Sequence, residues 1–331
     1  MGRAALALPA LVLALLPAAC GGGDDSAEAP RPAEPSPPEK AADFPKPEGQ
    51  TLSVLRRRLD PGPVLAPSVS LLEPGRNRFG FALFDRSRKQ ITDVPAALYL
   101  APKAGGKVRG PFPARYESLA VEPEFASQST TADPDAAQSL YVADLAFDRA
   151  GDYEILGIVS LDGRLVAAEP VYPDGQALTV AEQDTVPDVG DPAPRTSTDT
   201  LESVGGAVEK IDTRVPPGTM HDENFADVVG KKPALLFFAT PALCMSRVCG
   251  PVIDVAEQVK SRYEGDAAFI HQEIYKDNAI EKGFRPQVGE WGLPTEPWAF
   301  AVDRQGKVAA RLEGAFSPRE LEEALAAASR G

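Results

Sequence analysis

Residues 233–251 read PALLFFATPALCMSRVCGP, and this stretch decides how the second half of the chain folds. Residues 233–240 form a continuous apolar run, typical of a central parallel strand that is covered on both faces. A helical pattern begins near Pro251, and the loop between the two elements carries Cys244 and Cys249. Cys249 lies at the predicted helix start, where the helix dipole and unpaired backbone N–H groups favour a thiolate. The two cysteines are therefore a candidate redox pair.

The amino-terminal residues 1–20 read MGRAALALPALVLALLPAAC, with one positive charge before an apolar run. The run is too short for a comfortable bilayer span and is typical of a secretory signal, so we predict a signal peptide over residues 1–19. Its ending, LPAACG, resembles a bacterial lipobox, which implies that Cys20 becomes an acylated amino terminus. The alternative is an ordinary secreted protein that is cut near Ala19.

Residues 20–50 alternate prolines with charges and small residues, and such a composition cannot offset the entropy lost on ordering. We therefore predict a disordered tether. The formal net charge is −14 over 331 residues, without a basic block, which argues against nucleic acid as a partner. We predict localisation at the extracytoplasmic face of the cell membrane, held by the lipid on Cys20. In an oxidising compartment a cysteine pair can exist as a disulfide.

The first folded region, residues 51–181, shows period-two patterns and turn signals with little helix. Apolar side chains alternate in FGFALF at 79–84, in YVADLAF at 141–147 and in YEILGIV at 153–159. Short strands at this spacing predict an immunoglobulin-like β-sandwich. The run GDY at 151–153 resembles the start of a late strand in bacterial Ig-like repeats.

The chain then changes character. Residues 182–204 are polar again, and we interpret them as a linker and lead-in segment to a second domain over residues 205–331. The predicted α/β elements of this domain, besides the strand and helix described first, are a strand at 267–275, a hairpin of 297–303 with 307–313, and a last helix that begins with the capping box S-P-R-E at 317–320.

This order of elements carries the motifs WGL at 291–293, FAVD at 300–303 and GAFS at 314–317, with Pro297 between the first two. The pattern resembles the thioredoxin-like superfamily that includes TlpA, peroxiredoxin and Sco proteins. The resemblance begins near Val189 and leaves the predicted β-sandwich untouched. It implies that Pro297 is a cis-proline that faces the redox cysteines and aligns a substrate's extended chain.

The cysteine loop departs from the C-x-x-C motif usual in that superfamily, because four residues separate Cys244 from Cys249. Two cysteines five residues apart on one helix would lie about 7.5 Å apart along its axis, too far for a disulfide. Cys244 is therefore expected in the loop. A purely structural disulfide is the alternative, but closing so short a loop adds only about 2 kcal/mol. Phe237 stands where thioredoxins bury a proton-accepting aspartate.

Neighbouring charges bear on the thiols. Arg247, between the cysteines, is expected to stabilise a thiolate, and Glu296, beside Pro297, to oppose one unless it points to solvent. Arg247, Glu296 and Pro297 are the candidate substrate-binding residues. His271, in the middle of a predicted strand, is expected to be partly buried, and His221, in a loop, to be solvated.

We expect an extracytoplasmic thiol-disulfide oxidoreductase that acts on thiols and disulfides of exported proteins without a cofactor or metal. Cys249 is the expected nucleophile because of the helix dipole, and Cys244 then resolves the mixed disulfide. A second hypothesis is a Sco-like copper-handling protein, since thiolates suit Cu(I), although the histidine of that family is expected where this chain has residues 294–297. A third is a non-catalytic binding lipoprotein with a thioredoxin-like scaffold.

Overall fold

The computed structural model describes residues 1–2, 40–172, 178–263 and 265–331. The predicted signal peptide beyond residue 2 and the acylated Cys20 lie outside the described residues. The chain divides into Met1–Pro30, of which only the first two residues are described, and Arg31–Gly331, which holds every element below. In the described ranges no helix has the length and apolarity that a bilayer crossing needs.

The folded part begins before residue 51. Phe44, within the predicted tether, is only 4 % exposed and packs with Leu52, Leu55 and Tyr99. The Tyr99 hydroxyl donates to the Pro45 carbonyl at 2.7 Å. The burial of this aromatic ring contributes about 1.5–3 kcal/mol toward holding the end of the proline-rich segment in place.

The first region is rich in β structure, as predicted. Its helices and strands in the described residues are α1 (Leu52–Arg56), β1 (Asp60–Pro67), β2 (Gly75–Phe84), β3 (Gln90–Ile91), β4 (Ala96–Pro102), β5 (Arg109–Ser118), α2 (Gln128–Thr131), β6 (Ser139–Phe147), β7 (Gly151–Leu161), β8 (Arg164–Pro170) and β9 (Leu178–Val180). The alternating residues of the sequence motifs lie inside, with Phe79, Phe81, Tyr141 and Leu145 fully buried in one core.

The strands do not form the two separate sheets of an immunoglobulin-like sandwich. Among the described residues they pair in a closed ring of order β1-β8-β7-β4-β5-β6-β2, and β2 returns to β1. The closure depends on β1, which pairs in parallel with β8 and antiparallel with β2. A register shift between Pro61 and Val64 accompanies this double pairing, as bulges do where strands bend. Closing the ring removes the exposed edges that a sandwich leaves.

The second region has the thioredoxin-like arrangement that the motifs predict. Its helices and strands are α3 (Phe225–Val228), β10 (Ala234–Phe238), α4 (Cys249–Arg262), β11 (Ala268–Gln272), α5 (Pro286–Glu290), β12 (Trp298–Val302), β13 (Val308–Glu313) and α6 (Pro318–Arg330). The sheet order is β11-β10-β12-β13, with β10 and β11 parallel and the other pairs antiparallel.

Strand β10 is central and covered on both faces. Leu235 and Phe237 pack into the core beneath α4 and α6. Leu236 and Phe238 point to the other face of the sheet, where they form a second core together with Trp291. This double coverage explains the continuous apolar run in the sequence.

The predicted linker over residues 182–204 is part of this second region. Its backbone pairs with the β12–β13 hairpin, where Gly190 donates to Val308 at 2.8 Å and Ala193 to Gly306 at 2.9 Å. The Trp291 indole donates to the Thr196 hydroxyl at 3.1 Å. The segment is largely polar in sequence, but its Val186 is buried in the same core as Trp291.

The β-rich region contacts the thioredoxin-like region through specific bonds. The Arg78 guanidinium binds both carboxylate oxygens of Glu320 at 2.8 and 2.9 Å, and it also donates to the Ala315 carbonyl at 2.6 Å. The connection between β5 and β6, residues 119–138, reaches over to α4. There the Ser127 N–H and hydroxyl donate to Asp254 at 3.0 and 3.1 Å. This connection therefore lies beside the cysteine loop.

Candidate active site

The cysteine pair forms a disulfide at the start of α4. Cys249 is the first residue of the helix, and Cys244 lies in the preceding loop with its Cα 5.9 Å from that of Cys249. The Cys249 N–H, unpaired within the helix, donates to Cys244 Sγ at 3.4 Å. The helix start therefore acts on the sulfur of Cys244 as well as on its own residue.

The two sulfurs differ in accessibility. Cys249 is fully buried, whereas Cys244 is partly exposed and is followed by Met245, which is 92 % exposed. The Ser246 hydroxyl lies 3.1 Å from Cys244 Sγ. An incoming sulfur therefore reaches Cys244 first. This geometry favours Cys244 as the nucleophile and Cys249 as the resolving cysteine. The helix dipole alone led us to expect the opposite roles.

Glu296, which directly precedes Pro297, lies beside the buried sulfur. The Glu296–Pro297 peptide bond is cis, and Pro297 directly precedes β12. Glu296 Oε2 lies 3.8 Å from Cys249 Sγ. Burial, and then the negative charge of Glu273, raise the pKa of Glu296 to about 8. At neutral pH the carboxyl is therefore mostly neutral, so it can exchange a proton with Cys249 and repels a thiolate little.

Arg247 is bound to the β-rich region. Its guanidinium donates to Asp133 at 2.6 Å, and its carbonyl accepts from the Ala137 N–H at 3.0 Å. This hydrogen bond and charge lower the pKa of Asp133. Arg247 also has a positive φ of 61°, which is unfavourable for a residue with a long side chain. Its main role in the structure is to attach the cysteine loop to the connection between β5 and β6.

That connection forms one wall of an open cleft beside the disulfide. The cleft has a volume of about 870 Å³, with Thr130 and Asp133 on one side and Cys244 and Met245 on the other. A polypeptide segment that enters the cleft would meet the exposed sulfur.

The acid that thioredoxins bury under the cysteines is absent from β10, because Phe237 fills that position and stacks near Phe269 and Phe316. Acidic groups come from other elements instead. Besides Glu296, Glu273 at the end of β11 is fully buried, and its Oε1 accepts from the N–H and hydroxyl of Thr213 at 2.7 Å. The sequence pattern contained no signal for Glu273, which lay inside the strand predicted at 267–275, whereas β11 ends at Gln272.

Both histidines of the chain converge on Asp212. His221 is 3 % exposed rather than solvated, and His271 is 1 % exposed rather than partly buried. Burial alone would raise the pKa of Asp212, but interactions with His221 and His271 outweigh it and hold this pKa well below its usual range. Burial lowers the pKa of His271, but the charge and hydrogen bonding of Asp212 exceed that effect and raise it to about 9. Asp212 was not anticipated, because it lies in an irregular segment.

The histidines are not part of the cysteine site. The group of close metal-ligating atoms at the cysteines contains Cys244, Cys249 and Glu296, whereas His221 and His271 belong to the other group found in the described ranges. The copper-handling hypothesis requires a histidine beside the thiols, and the described residues place none in that group.

Comparisons with known proteins give limited similarity. No known protein family matches the sequence, and no curated protein is significantly similar to it. A candidate thiol:disulfide interchange protein DsbE from Chlorobium tepidum aligns with 43 % of this chain and 99 % of its own, at 19 % identity and a TM-score of 0.32. A thioredoxin family thiol:disulfide interchange protein from Chlorobium tepidum TLS aligns with 42 % of this chain and 95 % of its own, at 16 % identity and a TM-score of 0.30. These identities are too low to transfer an activity to this chain.

Proposed function

We propose that this protein exchanges disulfides with partner proteins through Cys244 and Cys249. One observation carries the proposal: a disulfide at a helix start has a partly exposed outer sulfur beside a cleft, and a partly buried carboxyl lies 3.8 Å from its inner sulfur. A disulfide that served only stability would not need an exposed sulfur beside a cleft or a proton-exchanging group.

The exchange has two steps. In the reduced protein the Cys244 thiolate attacks one sulfur of a partner disulfide, and the partner's other sulfur leaves as a thiolate that takes a proton. Cys249 then attacks Cys244 Sγ of the mixed disulfide, restores the bond between the two cysteines and releases the partner's remaining thiolate, which is protonated in turn. The protein's dithiol is oxidised and the partner's disulfide is reduced, so no cofactor is required. The reverse sequence oxidises a partner dithiol.

Glu296 supports the second step. The Cys249 thiol is buried and must lose its proton before it can attack. A carboxyl with a pKa of about 8 is ionised in a minority of molecules at neutral pH. This carboxylate form can take up the proton of the thiol, because the pKa of a free thiol, about 8.5, is close to its own. We therefore assign Glu296 as the proton acceptor for Cys249, and Pro297 as a residue that lines the position of the partner chain.

Trapping of the mixed disulfide tests this proposal. With Cys249→Ser, the resolving thiol is missing, so an exported model protein that carries a disulfide should remain attached to Cys244 and migrate as a complex on a non-reducing gel. With Cys244→Ser, the remaining thiol is buried, and we expect at least tenfold less complex. If neither variant forms a complex and dithiothreitol does not reduce the native disulfide, the non-catalytic scaffold is the better hypothesis.

We further propose that the protein acts at the extracytoplasmic face of the cell membrane, anchored by a lipid on Cys20, and that its partners are exported proteins. The support is the lipobox-like ending of the leader. Cys20→Ser should release the protein from membranes while its unfolding midpoint stays unchanged, because the residue precedes the folded part. A Cys20→Ser protein that still requires detergent for extraction would contradict the anchor.

A further inference from the structure

A second cluster of chemically reactive side chains lies in the interior, apart from the cysteine site. It consists of Asp212, His221 and His271, all at least 97 % buried, as their exposures of 3 %, 3 % and 1 % show. They come from three separate parts of the chain. Asp212 follows the turn Val208–Lys210, His221 precedes α3, and His271 lies on β11.

The distances within this cluster fit a tetrahedral metal ion. His221 Nε2 lies 3.0 Å from Asp212 Oδ2, and His271 Nδ1 lies 3.8 Å from Asp212 Oδ1. One ligand atom from each residue lies within 4.8 Å of the others. Around zinc with bonds of about 2.0–2.1 Å, neighbouring ligand atoms are about 3.3 Å apart. The two distances to Asp212 therefore differ from this spacing by about 0.5 Å or less, and no pair of ligand atoms has to approach by more than about 1.5 Å.

Hydrogen bonds from groups outside the cluster hold the His271 ring and the Asp212 carboxylate in fixed orientations. His271 Nε2 lies 3.0 Å from the Ala239 carbonyl, which can only accept, so this nitrogen carries the proton and Nδ1 faces Asp212. The backbone N–H groups of Arg214 and Gly218 hold the Asp212 carboxylate at 2.8 and 2.7 Å. Such outer hydrogen bonds orient the ligands of most protein metal sites.

Two nitrogens of the cluster also lack the partners that buried polar atoms normally have. Nδ1 of His221 and Nδ1 of His271 have no hydrogen-bond partner in the described part of the chain. Buried imidazole nitrogens without partners are costly. A bound cation would explain why Nδ1 of His271 is turned toward Asp212 without forming a hydrogen bond to it.

Two buried carboxyl groups act on the cluster. Asp212 and Glu273 are buried carboxyl groups, and the charge of Glu273 acts on His271. The nearest guanidinium in sequence, that of Arg214, is engaged elsewhere: it binds Asp254 and the carbonyls of Pro216 and Phe125. A divalent ion that replaced the proton between His271 and Asp212 would offset both carboxylates.

We propose that Asp212, His221 and His271 bind one divalent cation of the zinc type, independently of the cysteines. Two imidazoles and one carboxylate suit Zn(II), Co(II) or Fe(II), and the absence of thiolate from the set disfavours Cu(I). The second oxygen of Asp212 or a water molecule would complete the coordination. The ion would tie the segment around Asp212 and the His221 loop to β11, which is a structural role distinct from disulfide exchange.

The test uses the full chain with its disulfide intact, so that Cys244 and Cys249 cannot act as ligands. The protein is unfolded in denaturant that contains a chelator, so that any bound metal is removed. It is then refolded with Co(II), with Zn(II) or without metal, and excess ion is removed. We expect one cobalt per chain by elemental analysis, a visible spectrum of tetrahedral Co(II) without a thiolate charge-transfer band, and a thermal midpoint that is several degrees higher with Zn(II) than without metal. These measurements on the unaltered chain decide the question even if the variants fold poorly.

The variants identify the ligands. His221→Gln and His271→Gln should each weaken cobalt binding at least tenfold, whereas a Cys244→Ser, Cys249→Ser double variant should bind it as the unaltered chain does. Refolded protein that retains no cobalt, or cobalt binding that both histidine variants preserve, would overturn the proposal and leave the cluster as a buried hydrogen-bonded ion pair.

Discussion

Glu296 shows how a single side chain acquires a chemical role from its surroundings. In sequence it is an ordinary glutamate before a proline, and it was expected to oppose a thiolate or to point to solvent. In the structure it is half-buried 3.8 Å from Cys249 Sγ. Burial, followed by the charge of Glu273, raises the pKa of Glu296 to about 8. The neutral carboxyl therefore predominates at neutral pH, and the carboxylate form that can accept the Cys249 proton becomes more abundant toward pH 8.

This raised pKa predicts how stability depends on pH. The folded protein holds a proton on Glu296 up to about pH 8, while the unfolded chain loses it near the ordinary value of 4.5. The folded state binds more protons between these values, so the contribution of Glu296 to stability falls as pH rises. Glu296→Gln removes this dependence. Between about pH 5 and pH 8, the free energy of unfolding of the unaltered chain should fall by on the order of 2 kcal/mol more than that of Glu296→Gln.

Chemical denaturation of the oxidised protein at both pH values measures the difference. Glu281→Gln, which changes an exposed glutamate of the same region, is the matched control and should retain the slope of the unaltered chain. Equal slopes for Glu296→Gln and the unaltered chain would mean that folding does not raise the pKa of Glu296, so that its carboxyl is not matched to the Cys249 thiol.

At the scale of elements, the start of α4 and the connection between β5 and β6 form one unit. The helix supplies an unpaired N–H group to Cys244 Sγ, and the connection holds the loop through Arg247 and Asp133. An isolated thioredoxin-like domain would lack this second support. The β-rich region therefore shapes the approach to the disulfide as well as being attached to it.

The ion pair between Arg247 and Asp133 predicts the effect of removing either partner. Both Arg247→Gln and Asp133→Asn should free the loop and speed reduction of the disulfide by dithiothreitol by about two- to tenfold, because an exposed pair contributes modestly. The double variant should react no faster than the single ones, since both remove the same bond.

The pH profile of thiol alkylation distinguishes this role from the one expected from sequence. If Arg247 acts through Asp133, Arg247→Gln leaves the alkylation midpoint of the reduced protein nearly unchanged. A midpoint that moves clearly to higher pH in Arg247→Gln, but not in Asp133→Asn, would show instead that the guanidinium stabilises the thiolate directly.

At the scale of the whole molecule, the β-rich and thioredoxin-like regions meet at a corner that admits no side chain. Gly314 follows β13 with φ of 73°, and a Cβ atom at this position would lie 1.8 Å from the Ser68 carbonyl oxygen. Nearby, Arg78 binds the buried Glu320 with two hydrogen bonds. The contact is therefore close and specific.

Gly314→Ala should disrupt this contact and destabilise the protein by about 3 kcal/mol or more, because the methyl group overlaps backbone atoms. Gly163→Ala is the matched control: its φ is 74°, but a Cβ there meets nothing within 4 Å. The control should lose only about 1 kcal/mol, from the left-handed backbone alone. Denaturant unfolding compares the two, and equal losses would mean that the two regions separate at little cost.

Much of the thioredoxin-like region could be predicted because its signals are local. Residues 234–238 are apolar without interruption, Ser317 to Glu320 form the capping box that starts α6, and the spacing of Cys244 and Cys249 excludes both from one helix. Strand β7 and its neighbours followed equally from the alternation in their sequences. Local periodicity and capping depend on residues a few positions apart, so a single sequence carries them.

What the sequence by itself determined was therefore the kind of elements, their order, and a cysteine pair at a helix start. The tertiary structure alone decided that β1 closes the strands into a ring, that Cys249 is buried while Cys244 is accessible, and that Arg247 binds Asp133. It also brought His221 and His271 together on Asp212. Each of these features joins residues that are far apart in the chain or depends on how deeply a group is buried, and burial is set by packing against elements that no local pattern specifies.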